Sequence, residues 1–251
     1  MCSIPQCCVF HERRAYVKLS EAMAFLDEHG DERTKMTLMK HGAREPFFGV
    51  KVADLKKLVK QIKKDHLLSI ELYKTGNSDA MYLAGLIADE EQITTEILEE
   101  WVDGAYWYYI SEYTVPWVAA DTAFGRELAL RWMQRPEEGV AAAGWCTYSR
   151  LMTVTGDEDL DLEEIRGLLK KVGETIHDQQ NRVRHTMNAF VIAAGSSVAP
   201  LLEDAQAVAR EIGKVHVDMG GTACKVPLAT EYIAKVVDRG RVGRKRRGPR
   251  G

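Results

Sequence analysis

The sequence predicts an all-α fold, an α-solenoid of stacked antiparallel helix pairs with a concave face. Three observations predict it. Apolar residues recur at helical spacing from Ala15 almost to the end of the chain, long alternating stretches that would mark strands are absent, and the connections between periodic segments are short. Helices of this size cannot bury their apolar faces alone, so neighbours have to stack.

In chain order, Val17, Ala22, Phe25 and Leu26 predict a first helix ending near Gly30, and Met36, Leu38 and Met39 a second ending at Gly42. A turn with two aromatics follows, Glu45-Pro46-Phe47-Phe48-Gly49-Val50. In the next helix Val52, Leu55, Leu58, Val59 and Ile62 form one stripe, with Lys51, Lys56, Lys57, Lys60, Lys63 and Lys64 around it. Further helices are expected over 66–75, 78–88, 94–102, 105–115, 117–134, 137–154, 161–177, 180–194, 200–213 and 225–237. Pro116 and Pro136 fall at first-turn positions, where a missing N–H is harmless, and Asp161 with Glu164 forms a cap of the capping-box kind. The segments from 51 to 213 pair off every 35–45 residues or so, near the HEAT and armadillo range. The pairs are therefore read as HEAT-like, with a compact helical bundle as the alternative.

The formal charge of −3 is unevenly spread. Residues 238–251 carry seven cations against Asp238, a net +6, which leaves the preceding residues at −9. Three parts are expected: a flexible N-terminal segment over 1–14, a single helical domain over 15–237, and a basic disordered tail over 238–251 that can follow phosphates or serve only for solubility. Five cysteines without spaced pairs, no signal-peptide core and no membrane-length apolar run predict a soluble, cytoplasmic protein with reduced thiols, taken as a monomer. The seven histidines lack metal-ligand spacing, Gly220-Gly221 lacks the Lys-Ser/Thr of a phosphate loop, and the acidic run 157–164 lacks the calcium-loop pattern. No metal and no cofactor are expected.

All five tryptophans lie between Trp101 and Trp145, among tyrosines and arginines. Such a cluster can stack on bases or line a pocket, and it can equally be core. The lysine-clad helix is open in the same way, as a solvated face or a surface along a DNA backbone.

Five pieces of the chain, in this order, resemble the DNA alkylation repair proteins of the AlkD type. They are Pro46-Phe47-Phe48-Gly49-Val50 with its basic helix, Asp79–Asp89 followed by Trp101, Ala141–Ser149, Asn181–Phe190, and Val217–Gly220 with Thr222–Pro227. The resemblance spans about 30 to 237. It implies a HEAT-like solenoid that holds double-stranded DNA on a concave basic face and, in active members, a glycosylase that releases N3- or N7-alkylated purines. Such a base is already a good leaving group, so the enzyme needs aromatic faces and a carboxylate against the positive charge that develops.

Carried across residue by residue, the resemblance puts the first catalytic tryptophan at Trp107. The aspartate one turn later is replaced by Ser111. Glu112 stands beside it, about 100° around an α-helix, and could serve only in a locally irregular helix. The family's arginine position falls in 140–145, where none stands, with Arg150 as a substitute, and its late aromatic falls at Ala189 or Phe190. Three functions are left open. One is a glycosylase with Trp107 and Glu112 as its catalytic residues. Another is a non-excising DNA-binding relative, and the third is a HEAT-type protein-interaction scaffold. The residues expected on DNA are Lys51, Lys56, Lys57, Lys60, Trp145, Arg150, Arg182, Arg184, Phe190 and Lys225.

Overall fold

The computed structural model describes residues 17–246; the N-terminal segment expected over 1–14 lies outside them. Among the described residues thirteen α-helices follow one another without a strand. They are α1 (Leu19–Glu28), α2 (Glu32–Lys40), α3 (Val52–Ile62), α4 (His66–Lys74), α5 (Ser78–Ile87), α6 (Thr95–Gly104), α7 (Val115–Ala120), α8 (Gly125–Trp132), α9 (Glu138–Val154), α10 (Leu162–Thr175), α11 (Asn181–Ser197), α12 (Leu202–Ile212) and α13 (Ala229–Asp238). The helices pack on one another, α4 on α5, α8 on α9, α9 on α11, and α11 on α12 and α13. Two apolar clusters result, one from Ala22 to Ala143 and one from Ala129 to Ile233. They meet at α8 and α9, which contribute to both. No helix among the described residues is long and apolar enough to cross a membrane.

Local chemistry accounts for five of the helix starts. The side chains of Asp31, Asp65, Asn77, Thr94 and Asp161 each accept a backbone N–H of the helix they open, a contribution of about 1 kcal/mol apiece. α13 begins at Ala229, after the extended N-cap residue Leu228. In α2 none of the residues is buried, and Met36 and Met39 are 61% and 52% exposed. Only Leu38 of the expected stripe packs on the core.

Two expected helices are different. The span 117–134 is broken at 121–124, where Thr122 Oγ1 donates to the Ala119 carbonyl at 2.7 Å. The chain then passes so close to itself that a Cβ on Gly125 would lie 2.3 Å from the Ala119 oxygen. The span 105–115 is not a regular α-helix either, because Ile110–Thr114 forms a π-turn. Pro116 supplies the cause: it has no N–H to give the carbonyl four residues back, and its ring would collide there. Widening the helix just before the proline removes the clash.

Four of the resembling motifs meet in two pairs. The Asp79 carboxylate, 5% exposed, accepts the N–H groups of Phe48, Gly49 and Val50 at 2.7, 2.9 and 3.1 Å. Burial raises its pKa against the pull of these donors. Gly49 has φ +80°, and a Cβ there would lie 2.7 Å from the Lys35 nitrogen. Trp145 of α9 meets Phe190 of α11 edge to face at 5.1 Å. A Cβ on Gly144 would sit 2.6 Å from Met133 N and 2.7 Å from Ala129 O, both backbone atoms at α8. Gly144→Ala is therefore expected to lower unfolding free energy by about 2 kcal/mol in urea; an unchanged midpoint would show that α8 and α9 can part freely.

The segment after α13 is not a free tail through residue 246. Gly243 N donates to Ser196 O at 3.0 Å and Arg246 N to Thr153 O at 2.7 Å. Lys245 Nζ reaches Asp157 Oδ1 at 2.6 Å and Met152 O at 2.9 Å. Composition shows too little apolar surface for the segment to fold alone, but it does not reveal polar anchors on other elements. Residues 247–251 lie outside the described part.

Candidate functional site

One turn beyond Trp107 stands Ser111, whose N–H donates to the Trp107 carbonyl at 3.1 Å, and Glu112 follows within the π-turn Ile110–Thr114; both residues are buried. Glu112 is buried, its side chain 3% exposed, and Arg182 at the start of α11 meets it side-on. Arg182 Nε donates to Oε1 at 2.6 Å and Nη2 to Oε2 at 2.5 Å. His185 Nδ1 lies 3.6 Å from the same carboxylate. Burial works against the guanidinium's charge, and the Glu112 carboxylate overcomes it, so the pKa of Arg182 stands above the ordinary arginine value.

Tyr108 covers the pair. Its ring lies 4.4 Å from Arg182 Cζ, and its hydroxyl shares a 2.7 Å hydrogen bond with His41 Nδ1. A hollow of about 210 Å³ opens here, lined by Lys40, His41, Tyr108, Arg182, Asp218 and Met219. Its far wall belongs to the irregular stretch between α12 and α13, pinned by a reciprocal pair of bonds. Asp218 N donates to Asn181 Oδ1 at 2.7 Å and Asn181 Nδ2 to Asp218 O at 2.8 Å.

The other expected site residues are placed differently. The Trp107 indole is 6% exposed and its N–H is bound to Ser78 Oγ at 3.0 Å, so it is a packed residue and offers no free face. Trp145 and Phe190 are 2% and 0% exposed, and neither can stack on a base. Arg150 has a 10% exposed side chain facing Asp121 at 3.8 Å. Arg184 lies half-buried on α11 against Asn181. Lys51, Lys56, Lys57, Lys60 and Lys225 are exposed, and Lys51 and Lys57 are paired with Asp31 and Asp54 at 3.3 and 2.7 Å. None of these lysines lines the hollow above Arg182.

Of the expected set, Glu112 and Arg182 come together as an ion pair beside a hollow, and Trp145 and Phe190 meet only inside the core. Sequence reasoning missed Tyr108, His41, His185 and Met219 as the surroundings of the ion pair. Tyr108 was one aromatic among many, and His41 lies 67 residues from it, at the end of another helix. One ring of the aromatic cluster does reach solvent. Tyr113, 39% exposed, links Tyr109 at 5.8 Å to Trp117 at 5.9 Å. Burial, followed by the charge of Glu112, pushes the Tyr113 pKa up to about 12, so its hydroxyl stays protonated near neutrality.

Stacked helix pairs around an acidic and an aromatic residue on one irregular turn define a HEAT-like helical-repeat protein of the kind found among DNA-repair glycosylases. The chain belongs to the DNA alkylation repair enzyme family, whose sequence pattern matches residues 22–225. It is 35% identical over 198 residues to uncharacterized proteins of Listeria innocua serovar 6a and Listeria monocytogenes serovar 1/2a, covering 76% of this chain and 84% of each relative. A solved structure superposes with a TM-score of 0.87 at 36% identity, over 93% of this chain and all of that one. It is described as a new family of proteins related to the HEAT-like repeat DNA glycosylases with affinity for branched DNA structures.

Proposed function

We propose that this protein binds DNA without excising bases and prefers branched over linear duplex DNA, acting as a cytoplasmic monomer. One observation carries the reading: both oxygens of the Glu112 carboxylate are taken by Arg182 in a buried, side-on pair. A carboxylate can stabilise the cation of a departing base only if its charge is free to face that cation. Here it already faces a guanidinium, and the indole expected to stack beside it is bound to Ser78. The loss of one such stabilising group typically costs a hundredfold or more in rate.

Binding has separate support. The solved relative has affinity for branched DNA structures and shares the fold along its whole length. The exposed lysines of α3 provide backbone contacts that carry no sequence information. Tyr113, the exposed ring between Tyr109 and Trp117, offers a face on which an unpaired base at a branch point can stack.

The test is to incubate the protein with duplexes containing N7-methylguanine or N3-methyladenine and to measure released base, alongside binding to a four-way junction and a linear duplex. No release above the spontaneous rate is expected, with junction affinity about tenfold or more above that for duplex, a difference of about 1.4 kcal/mol. Release that disappears in Glu112→Gln would establish a glycosylase with a displaced carboxylate and defeat the reading. Binding to neither DNA would leave a protein-interaction scaffold.

A further inference from the structure

The densest positive charge lies at the C-terminal end of the described chain, beyond the family match that stops at residue 225. At the end of α13, Gly240 N bonds to Val237 O at 2.8 Å and Arg241 N to Val236 O at 3.1 Å. This pattern, with Gly240 at φ +58°, closes a helix with a left-handed residue. The chain turns again at Gly243 and lies across the ends of α9 and α11, held by the bonds to Ser196, Thr153, Met152 and Asp157 given above.

The inward cation, Lys245, has a 19% exposed side chain and is spent on that anchorage. Arg239, Arg241, Arg244 and Arg246 are exposed, and none of them meets a carboxylate among the described residues. Four guanidiniums within eight residues repel one another, which favours spreading the chain into solvent. The anchors hold them together instead. The arrangement is thus a preassembled concentration of bidentate donors, chemistry that matches closely spaced phosphates. The sequence then continues with Arg247 and Arg250.

We propose that segment 239–246 is a second DNA contact, a phosphate-binding surface that takes a duplex arm. It rests on the DNA-binding reading and adds to it a physical source for branch preference. The lysine helix α3 packs in the first apolar cluster, whereas the arginine segment sits on helices of the second. A branched molecule presents separate duplex arms to two such surfaces. Once one arm is held, the other is presented at high effective concentration, and overall affinity exceeds that of either contact.

The experiment uses the full chain with Arg239, Arg241, Arg244 and Arg246 all replaced by Ala, and a companion with all four replaced by Lys. Lys245 stays in place in both, so the anchorage is untouched. Fluorescence anisotropy follows binding to a four-way junction and a linear duplex between about 50 and 200 mM salt. The alanine variant is expected to lose about tenfold or more in junction affinity, and its plot of log affinity against log salt to become shallower by about 2 or more. The lysine variant should keep the wild-type slope. An alanine variant with unchanged slope and affinity overturns the proposal, as does a lysine variant that loses as much as the alanine one. A wild-type protein that binds neither DNA overturns the DNA-binding reading itself.

Discussion

Glu112→Gln is expected to lower unfolding free energy by about 3 kcal/mol, because it leaves the Arg182 guanidinium in a mostly buried place without its counter-charge. Arg182→Met should cost a similar amount by stranding the carboxylate. The double variant Glu112→Gln/Arg182→Met should recover much of the loss, since replacing both members of a buried pair together is often neutral. Urea denaturation of the four proteins gives the coupling energy directly. The internal comparison is Arg126 and Glu164, joined in the same two-pronged way at 2.8 and 2.8 Å, but with the arginine side chain 53% exposed. Solvent screens that pair, so Arg126→Met should cost less than about 1 kcal/mol. If the two arginine substitutions cost the same, burial is not what makes the Glu112 pair strong, and the account of Glu112 as a neutralised carboxylate fails. The result bears on function as well as stability. A strongly coupled pair holds Glu112 away from any substrate, whereas a weakly coupled one could open to release it.

How much of this was legible in the sequence depended on the range of the interaction involved. Periodicity and caps are local, and they place nearly all the helices: the apolar stripe of α3 and the Asp161 cap need only neighbours a few residues away. The break before Gly125 was missed although 121–125 carries turn-forming residues, because its cause is the approach of Gly125 to the Ala119 carbonyl. Pro116 does stand in the first turn of α7, as its spacing predicts, but spacing does not show that the helix ahead of it widens into the π-turn that carries Glu112. Once that turn is in place, the partner of Glu112 lies 70 residues away, a distance over which spacing carries no information. The tryptophans show a different limit. Their clustering marks a site or a core equally well, and Trp101, Trp107, Trp132 and Trp145 are all buried. The tyrosines among them, Tyr108 and Tyr113, are the rings that reach the hollow or the solvent.

Asp79→Ala should be the most damaging substitution outside the ion pair. It removes one acceptor group from three backbone donors at once, and at least Gly49 and Val50 lie where water cannot replace it. A buried donor left without a partner costs about 1–3 kcal/mol, so a loss of about 3 kcal/mol or more is expected. That is a large part of the 5–15 kcal/mol or so by which ordinary domains are stable. Asp79→Asn keeps one acceptor oxygen but turns an amide N–H₂ toward backbone donors, and should lose roughly half as much. Urea denaturation measures both, and hydrogen exchange at Phe48, Gly49 and Val50 locates the damage; a loss below about 1 kcal/mol would show that the loop holds itself. The consequence extends to binding, because Lys51 caps α3 directly after the loop and the lysines of α3 follow. If α3 contacts DNA, Asp79→Asn should weaken duplex binding at temperatures where the protein is still folded, without changing a lysine. The C-terminal arginine segment rests on other helices, so in that variant its contribution to the salt dependence should persist.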